Sequence, residues 1–328
     1  MLNLNYEIAR EFLQKLDLKN FSINKIAGDA SFRSYYRINH ELGVNILMYA
    51  PVGYEDCSSF ILIDEILLDL NLSAPKIIAK DLSLGLILLE DFGDESFTKF
   101  LQNNPNEELK IYQNACDVLL DLHEKTANIH LEKVHKYNLA VLYREVELLI
   151  NWYLPHKNIK ISIEQKEFYK KTWFDIFDKL SKSSQVLVLR DYHADNLMVL
   201  NSFRGKNSVG LLDFQDALIG SRAYDLVSLI EDARRDISVE NAKKIFDYFI
   251  LNSKNNVDEI ILDYEILSLQ RNIKILGIFA RLANRDHKKQ YLHYLPRVEN
   301  YVHNRLNSSK IFPGDLRKLL LNYLKNDY

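Results

Sequence analysis

Glycine is scarce, with 10 in 328 residues, under half the usual share of ~7%. No two stand as G-x-G, which excludes the dinucleotide fingerprint. Gly205 and Gly210 have the outer spacing of a P-loop, but Leu211 and Leu212 follow where Lys and Ser or Thr are needed. Any nucleotide chemistry therefore needs another architecture. Cysteine is scarcer still. Cys57 and Cys116 are too few for a disulfide framework or a cysteine-based zinc site, and read as reduced thiols packed as small apolar groups. The longest apolar runs, LGLILL and ILGIFA, fall far short of the ~18 residues of a membrane span. There is also no basic excess. With 42 Lys and Arg against 45 Asp and Glu, the formal net charge is -3, which argues against a nucleic-acid partner. Glu7, Arg10 and Glu11 interrupt the N-terminal apolar pattern, which reads as an amphipathic helix and not a signal peptide. These absences together lead us to expect a cytoplasmic protein. No sequence feature bears on its oligomeric state.

What is present changes character near position 95. The earlier part is rich in short β-like segments. Residues 21–27 and 32–39 flank the turn Gly28-Asp29 as a hairpin, and 44–50 forms a third strand. Residues 58–70 carry Ile63, Ile66, Leu67 and Leu70 at helical spacing, with Ser58 or Ser59 as N-cap. Strands follow at 76–80 and 84–90, the last nearly all apolar and therefore central. The later part is mostly helical, over 109–120, 139–154, 163–180 and from 222 onward. Within it lies one β-like island of three short strands, at 186–189, 196–200 and 209–214.

That island holds the chemistry. The polar loop Arg190-Asp191-Tyr192-His193-Ala194-Asp195-Asn196 lies between two apolar strands, and after the second of them Asp213 stands at the end of a further apolar run. Phosphoryl transfer needs a carboxylate to orient the attacking hydroxyl and oxygen ligands for Mg²⁺ on the nucleotide phosphates. An Asp, an Asn five residues on and a second Asp after the next strand supply that set. Asp191 would be the base, with Asn196 and Asp213 the metal ligands. The bland alternative is that these residues merely form loops. A transition-metal site on His193 and Asp195 lacks an evident third ligand. His193 reads as a hydrogen-bonding residue of the loop.

VLVLRDYHADNLMVL followed by LLDFQDALIGSRAYDLVSLI resembles the aminoglycoside phosphotransferase and choline kinase superfamily, relatives of the eukaryotic-type protein kinases. GDASFRSYYRI, LMYAP, LLEDFGD, YREVELLINWYLP, LVSLIEDARRD and IKILGIFARLANRD look like the bacterial N-acetylmuramate/N-acetylglucosamine anomeric kinases of cell-wall recycling. The resemblance implies an α+β, two-lobed kinase-like fold. Residues 1–92 would form a small antiparallel N-lobe with one helix, and 93–328 a helical C-lobe carrying the catalytic loop. It implies ATP and Mg²⁺ as cofactors and a small amino sugar as substrate, phosphorylated at the anomeric hydroxyl. ATP would lie under residues 88–92, with Glu90 and Phe92 at the adenine edge. Gly28 and Ser31 would cap a phosphate, and Asp225 would brace the catalytic loop.

Two details depart from the kinase pattern. Asp91-Phe92-Gly93 spells the kinase metal motif but precedes the catalytic loop, so it cannot be that motif. The third strand has no lysine, and Met48 or a neighbour stands in its place. Glu65 is then a helix acid without its partner, and Arg33 or Arg37 would supply the phosphate-binding charge. Substrate candidates in the helical half are Asp216, Glu145, Trp152, Asp232, Arg235, Arg271 and Arg281. Arginine suits an anionic or neutral sugar better than choline or an aminoglycoside, whose cations call for acids and aromatics. Another small-molecule kinase, and a nucleotide-binding pseudokinase acting as an interaction module, are the competing readings. The missing lysine supports the second of these, and the intact Asp191, Asn196 and Asp213 set opposes it.

Overall fold

The computed structural model describes residues 4–26, 32–127, 131–180, 185–200 and 204–324. The chain divides into two compact units, Met1–Asn103 with Asp195–Asp216, and Asn104–Ala194 with Ala217–Tyr328.

The first unit is built on a five-stranded antiparallel sheet: β1 (Ser22–Lys25), β2 (Ser34–His40), β3 (Gly43–Tyr49), β4 (Ile77–Asp81) and β5 (Leu86–Glu90). Its spatial order is β1-β2-β3-β5-β4, so β5 lies inside the sheet, as its unbroken apolar run requires. Alternation puts Tyr36 and Ile38 of β2, Leu47 of β3 and Leu86 and Leu88 of β5 into one core cluster. Helix α1 (Tyr6–Lys15) seals that cluster with Ala9, Phe12 and Leu13, spaced as one helical face. The Asn5 side chain caps α1 by accepting from Glu7 N–H at 3.0 Å. Each fully buried Phe or Leu here contributes about 1.5–3 kcal/mol.

Helix α2 (Ser58–Asp69) joins β3 to β4. Neither serine caps it. Cys57 holds the N-cap position without a side-chain bond, and Asp56 accepts from Ser58 N at 2.8 Å and Ser58 Oγ at 2.6 Å. The Ser58 hydroxyl is thus spent as a donor to a carboxylate, a strong acceptor.

The first unit extends past position 92 into α3 (Phe97–Asn103) and takes in the hairpin of β7 (Leu197–Val199) and β8 (Val209–Leu211). Backbone pairing explains why. Leu211 N donates to Ser73 O at 2.8 Å, and Val199 N to Glu95 O at 2.8 Å. Gly210 lies under the Phe92 ring, where a Cβ would come within 2.7 Å of Cδ2.

In the second unit, β6 (Gln185–Val188) pairs antiparallel with β9 (Leu218–Ser221), a strand that the sequence reading left out. The helices are α4 (Glu108–Thr126), α5 (Leu139–Leu148), α6 (Leu154–His156), α7 (Ile163–Phe177), α8 (Ala223–Ile230), α9 (Val239–Asn252), α10 (Val257–Asn284), α11 (Leu295–Ser308) and α12 (Gly314–Tyr323). Helix α10 is buried nearly all round from Ile266 to Gly277. The single helix expected over 139–154 is interrupted by a π-helical turn at Leu149–Tyr153. Beside it, a Cβ on Gly277 would meet the Leu148 backbone at 2.5 Å, so only glycine lets α10 and α5 approach this closely. Among the described residues, no helix is long and apolar enough to cross a membrane.

Candidate active site

The loop that carries Asp191 is fixed before it begins. Strand β6 ends at Val188, and the next two backbone N–H groups, of Leu189 and Arg190, donate to Asp225 Oδ2 at 2.6 Å and Oδ1 at 2.8 Å. Asp225 is fully buried in the first turn of α8. Burial pushes its carboxyl up to about 7, against the two N–H donors that favour the charge. Arg190 has φ +70°, a left-handed conformation that costs a non-glycine residue roughly 1–3 kcal/mol. The turn carries on into Asp191, whose N–H donates to Leu189 O at 2.9 Å and whose carbonyl accepts from His193 N at 3.1 Å.

His193 is buried, and Arg234 Nη1 lies 2.6 Å from its Nε2. Burial and the nearby Arg234 and Arg271 hold its pKa well below the usual histidine range. The ring is therefore neutral and accepts from Arg234, which suits a fixed loop residue and not a proton carrier. Asp232 accepts from Ala194 N at 3.2 Å and from Arg234 N at 2.8 Å, pinning the loop's far end.

In the first unit, Asn196 and Asp213 face each other across the β7–β8 hairpin. Leu212 N donates to Asn196 O at 3.0 Å, and Asn196 Nδ2 lies 3.4 Å from Asp213 Oδ2. Asp213 also sits at a left-handed φ of +58°, exposed, with Gln215 Nε2 donating to its Oδ1 at 2.8 Å. The next residue, Phe214, is buried and stacks on Phe60 of α2 with ring centroids 5.2 Å apart. The donor set fits Mg²⁺, which takes one or two protein oxygens and leaves its remaining positions to phosphates and water.

The other expected residues fall into distinct settings. Gly28 and Ser31 lie outside the described residues. Arg33 is ion-paired with Glu55 at 3.4 Å. Neighbouring Tyr35 is pushed up to about 12, mainly by burial and further by Asp213 and Glu55, against Arg33. Arg37 grips Asp91, with Nε to Oδ2 at 2.7 Å and Nη2 to Oδ1 at 3.2 Å, and reaches Asp94 at 2.7 Å. The Asp91-Phe92-Gly93 motif thus serves as an anchor for β2. Glu90 N donates to Lys76 O at 2.9 Å. Glu65 pairs loosely with Lys80 at 3.8 Å. Its neighbour Asp64 is 1% exposed, and among the described residues neither of its oxygens has a hydrogen-bond partner.

Of the substrate candidates, Glu145, Asp232 and Arg271 are buried. Arg271 donates to Ser228 Oγ at 2.7 Å, and Ser228 Oγ donates to Arg190 O at 3.3 Å. Arg235 pairs with Glu108, which also accepts from Asn241. Trp152 is half-buried on the π-helical turn, and Asp216 is exposed. Arg281 is half-buried, and its Nε has no hydrogen-bond partner among the described residues. The sequence reading missed Lys274, Gln270 and Tyr137, which surround Glu145. Lys274 lay in plain view in IKILGIFARLANRD, but burial is not written in a residue's type.

The turn before Asp191 and the Asn196/Asp213 pair on the hairpin that follows in sequence offer the residue types that phosphoryl transfer needs. Residues 22–252 match the model of the phosphotransferase enzyme family, and the chain belongs to that family. It is 30% identical over 288 residues to the N-acetylmuramate/N-acetylglucosamine kinase of Pseudomonas aeruginosa, covering 84% of this chain and 81% of that one. It is 32% identical to the kinase of the same name from Caulobacter vibrioides, covering 80% and 73%. In fold it resembles the AMP-bound spectinomycin phosphotransferase APH(9)-Ia, with a TM-score of 0.67 at 16% identity over 93% of this chain and 99% of that one. The choline kinase LicA of Streptococcus pneumoniae gives 0.63 at 14% identity, over 91% and 99%. The fold is the α+β, kinase-like one, and the chain is a kinase.

Proposed function

We propose that this kinase transfers the terminal phosphoryl group of ATP to the anomeric hydroxyl of N-acetylmuramate or N-acetylglucosamine, in the cytoplasm, during cell-wall recycling. The observation that carries the reading is Asp191, presented by a loop whose preceding backbone is tied to Asp225, with Asn196 and Asp213 paired on the following hairpin. Similarity to two kinases of that name, at 30% and 32% identity, supports the substrate class.

Asp191 accepts the proton of the sugar hydroxyl as its oxygen attacks the γ-phosphorus. The bond from that phosphorus to the β-phosphate oxygen breaks, and ADP leaves with the electron pair. The anomeric hydroxyl is more acidic than other sugar hydroxyls, which eases its deprotonation by a carboxylate. Asn196 and Asp213 would hold Mg²⁺, which when bound neutralises phosphate charge. The first unit supplies the nucleotide contacts, with Arg33 the cation for the phosphates, Glu90 at the end of β5 and Phe92 two residues beyond it. Arg281 and Trp152 are the candidates for the sugar, a charged donor and an aromatic face. Positioning and charge neutralisation do most of the work in such a site.

The test is a coupled ADP-release assay with N-acetylmuramate, N-acetylglucosamine, choline and an aminoglycoside. Turnover with either amino sugar is expected. None with both, across Mg²⁺ concentrations, would overturn the reading.

A further inference from the structure

Glu145 has the composition of a substrate contact and the surroundings of something else. It is 6% exposed on α5, and its carboxylate accepts from Tyr137 Oη, from Arg190 Nη2 at 2.5 Å and from Gln270 Nε2 at 2.7 Å. Lys274 Nζ lies 3.2 Å away and donates to Tyr224 Oη at 3.0 Å. Burial alone would raise the pKa of Glu145, but Lys274 and Arg190 outweigh it and hold it below the usual carboxylate range. The pair is therefore ionised, and it is set into α5 and α10, where Gly277 allows the close approach.

What this cluster grips is the side chain of Arg190. Its guanidinium also lies over the Tyr137 ring, 5.6 Å from the centroid. The Arg190 backbone N is held by Asp225 and its carbonyl by Ser228. Three anchors thus converge on a residue at φ +70°, a conformation that persists in a non-glycine residue only when its surroundings over-determine it. The next residue is Asp191, and its direction follows from the turn at Arg190.

We propose that Glu145 is a positioning residue for Asp191. It acts through Arg190 and is kept charged by Lys274. The inference rests on the assignment of Asp191 as the base.

Five variants test it, each read as kcat, KM for ATP and sugar, and circular dichroism. Glu145→Gln keeps the size but loses the charge that orders Arg190. It should lower kcat by about 10–100-fold with KM for ATP unchanged. Arg190→Gly accepts a positive φ without any anchor, so adding Glu145→Gln to it should change kcat by less than about twofold, a non-additive cycle. Full kcat in Glu145→Gln, or losses that multiply in the double variant, would overturn the proposal. Should Glu145→Gln fail to fold, Arg190→Gly is compared with Arg190→Ala, which resists φ > 0. A kcat at least about tenfold higher for the glycine supports the proposal, and equal values overturn it. Asp191→Asn in the same assay separates the two claims: an inactive Asp191→Asn beside a fully active Glu145→Gln removes this inference alone.

Discussion

Asp225 Oδ1 accepts the backbone N–H of Arg190 at 2.8 Å, joining the first turn of α8 to the residue before Asp191. Its other oxygen takes Leu189 N at 2.6 Å, so one carboxylate satisfies two consecutive buried donors. Asp225→Asn keeps the shape but turns an amide NH₂ toward one of them. A buried N–H left unsatisfied costs about 1–3 kcal/mol. The variant should lose that much stability in urea titration and at least about tenfold in kcat. Wild-type stability and kcat together would show that the bonds are incidental.

Asp191→Asn should lower kcat by about 10²–10⁴-fold, the usual worth of a general base, with nucleotide affinity largely kept. Asp213→Ala should weaken MgADP binding while leaving binding without metal little changed, as read by calorimetry with and without Mg²⁺. Equal losses in both conditions would remove Asp213 from the metal site.

The order of strands, the central place of β5 and the grouping of Asp191, Asn196 and Asp213 as candidates were legible because each rests on local pattern. Alternation, an unbroken apolar run and the spacing of Asp191, Asn196 and Asp213 are all local. What escaped is non-local. Strand β9 has two apolar side chains before Gly220, and becomes a strand only by pairing with β6. The π-helical turn cannot be told from α-helix by periodicity, and the close contact beside it comes from Gly277 on a distant helix. Glu145, Asp232 and Arg37 read as candidates for ligands because type shows charge without direction. The structure turns each toward a protein partner.

Asp64 gives a pH prediction. It is 1% exposed, without a hydrogen-bond partner among the described residues, and burial raises its carboxyl to about 7. In the unfolded chain it ionises near 4. Between those values the folded state holds the proton and the unfolded state does not, so this group's contribution to stability falls as pH rises from about 4 to about 7. At ~1.36 kcal/mol per unit the loss reaches at most about 4 kcal/mol. Asp64→Asn cannot ionise and should lose less stability than wild type between pH 5 and pH 8 in urea titrations. The same loss in both proteins would mean that Asp64 does not titrate there.

Gly277 gives the last prediction, on packing. A methyl group there would overlap the Leu148 carbonyl carbon and oxygen at 2.5 Å, and backbone cannot rotate away as a side chain can. Gly277→Ala would ordinarily favour a helix by up to about 1 kcal/mol. Here α5 and α10 must part, and overpacking costs about 1–3 kcal/mol. The net effect should be a lower Tm. Because the same two helices carry Glu145 and Lys274, kcat should fall with it while KM for ATP holds. A raised Tm would show that the contact relaxes freely, and an unchanged kcat alongside a lowered Tm would separate the packing of these helices from the aim of Asp191.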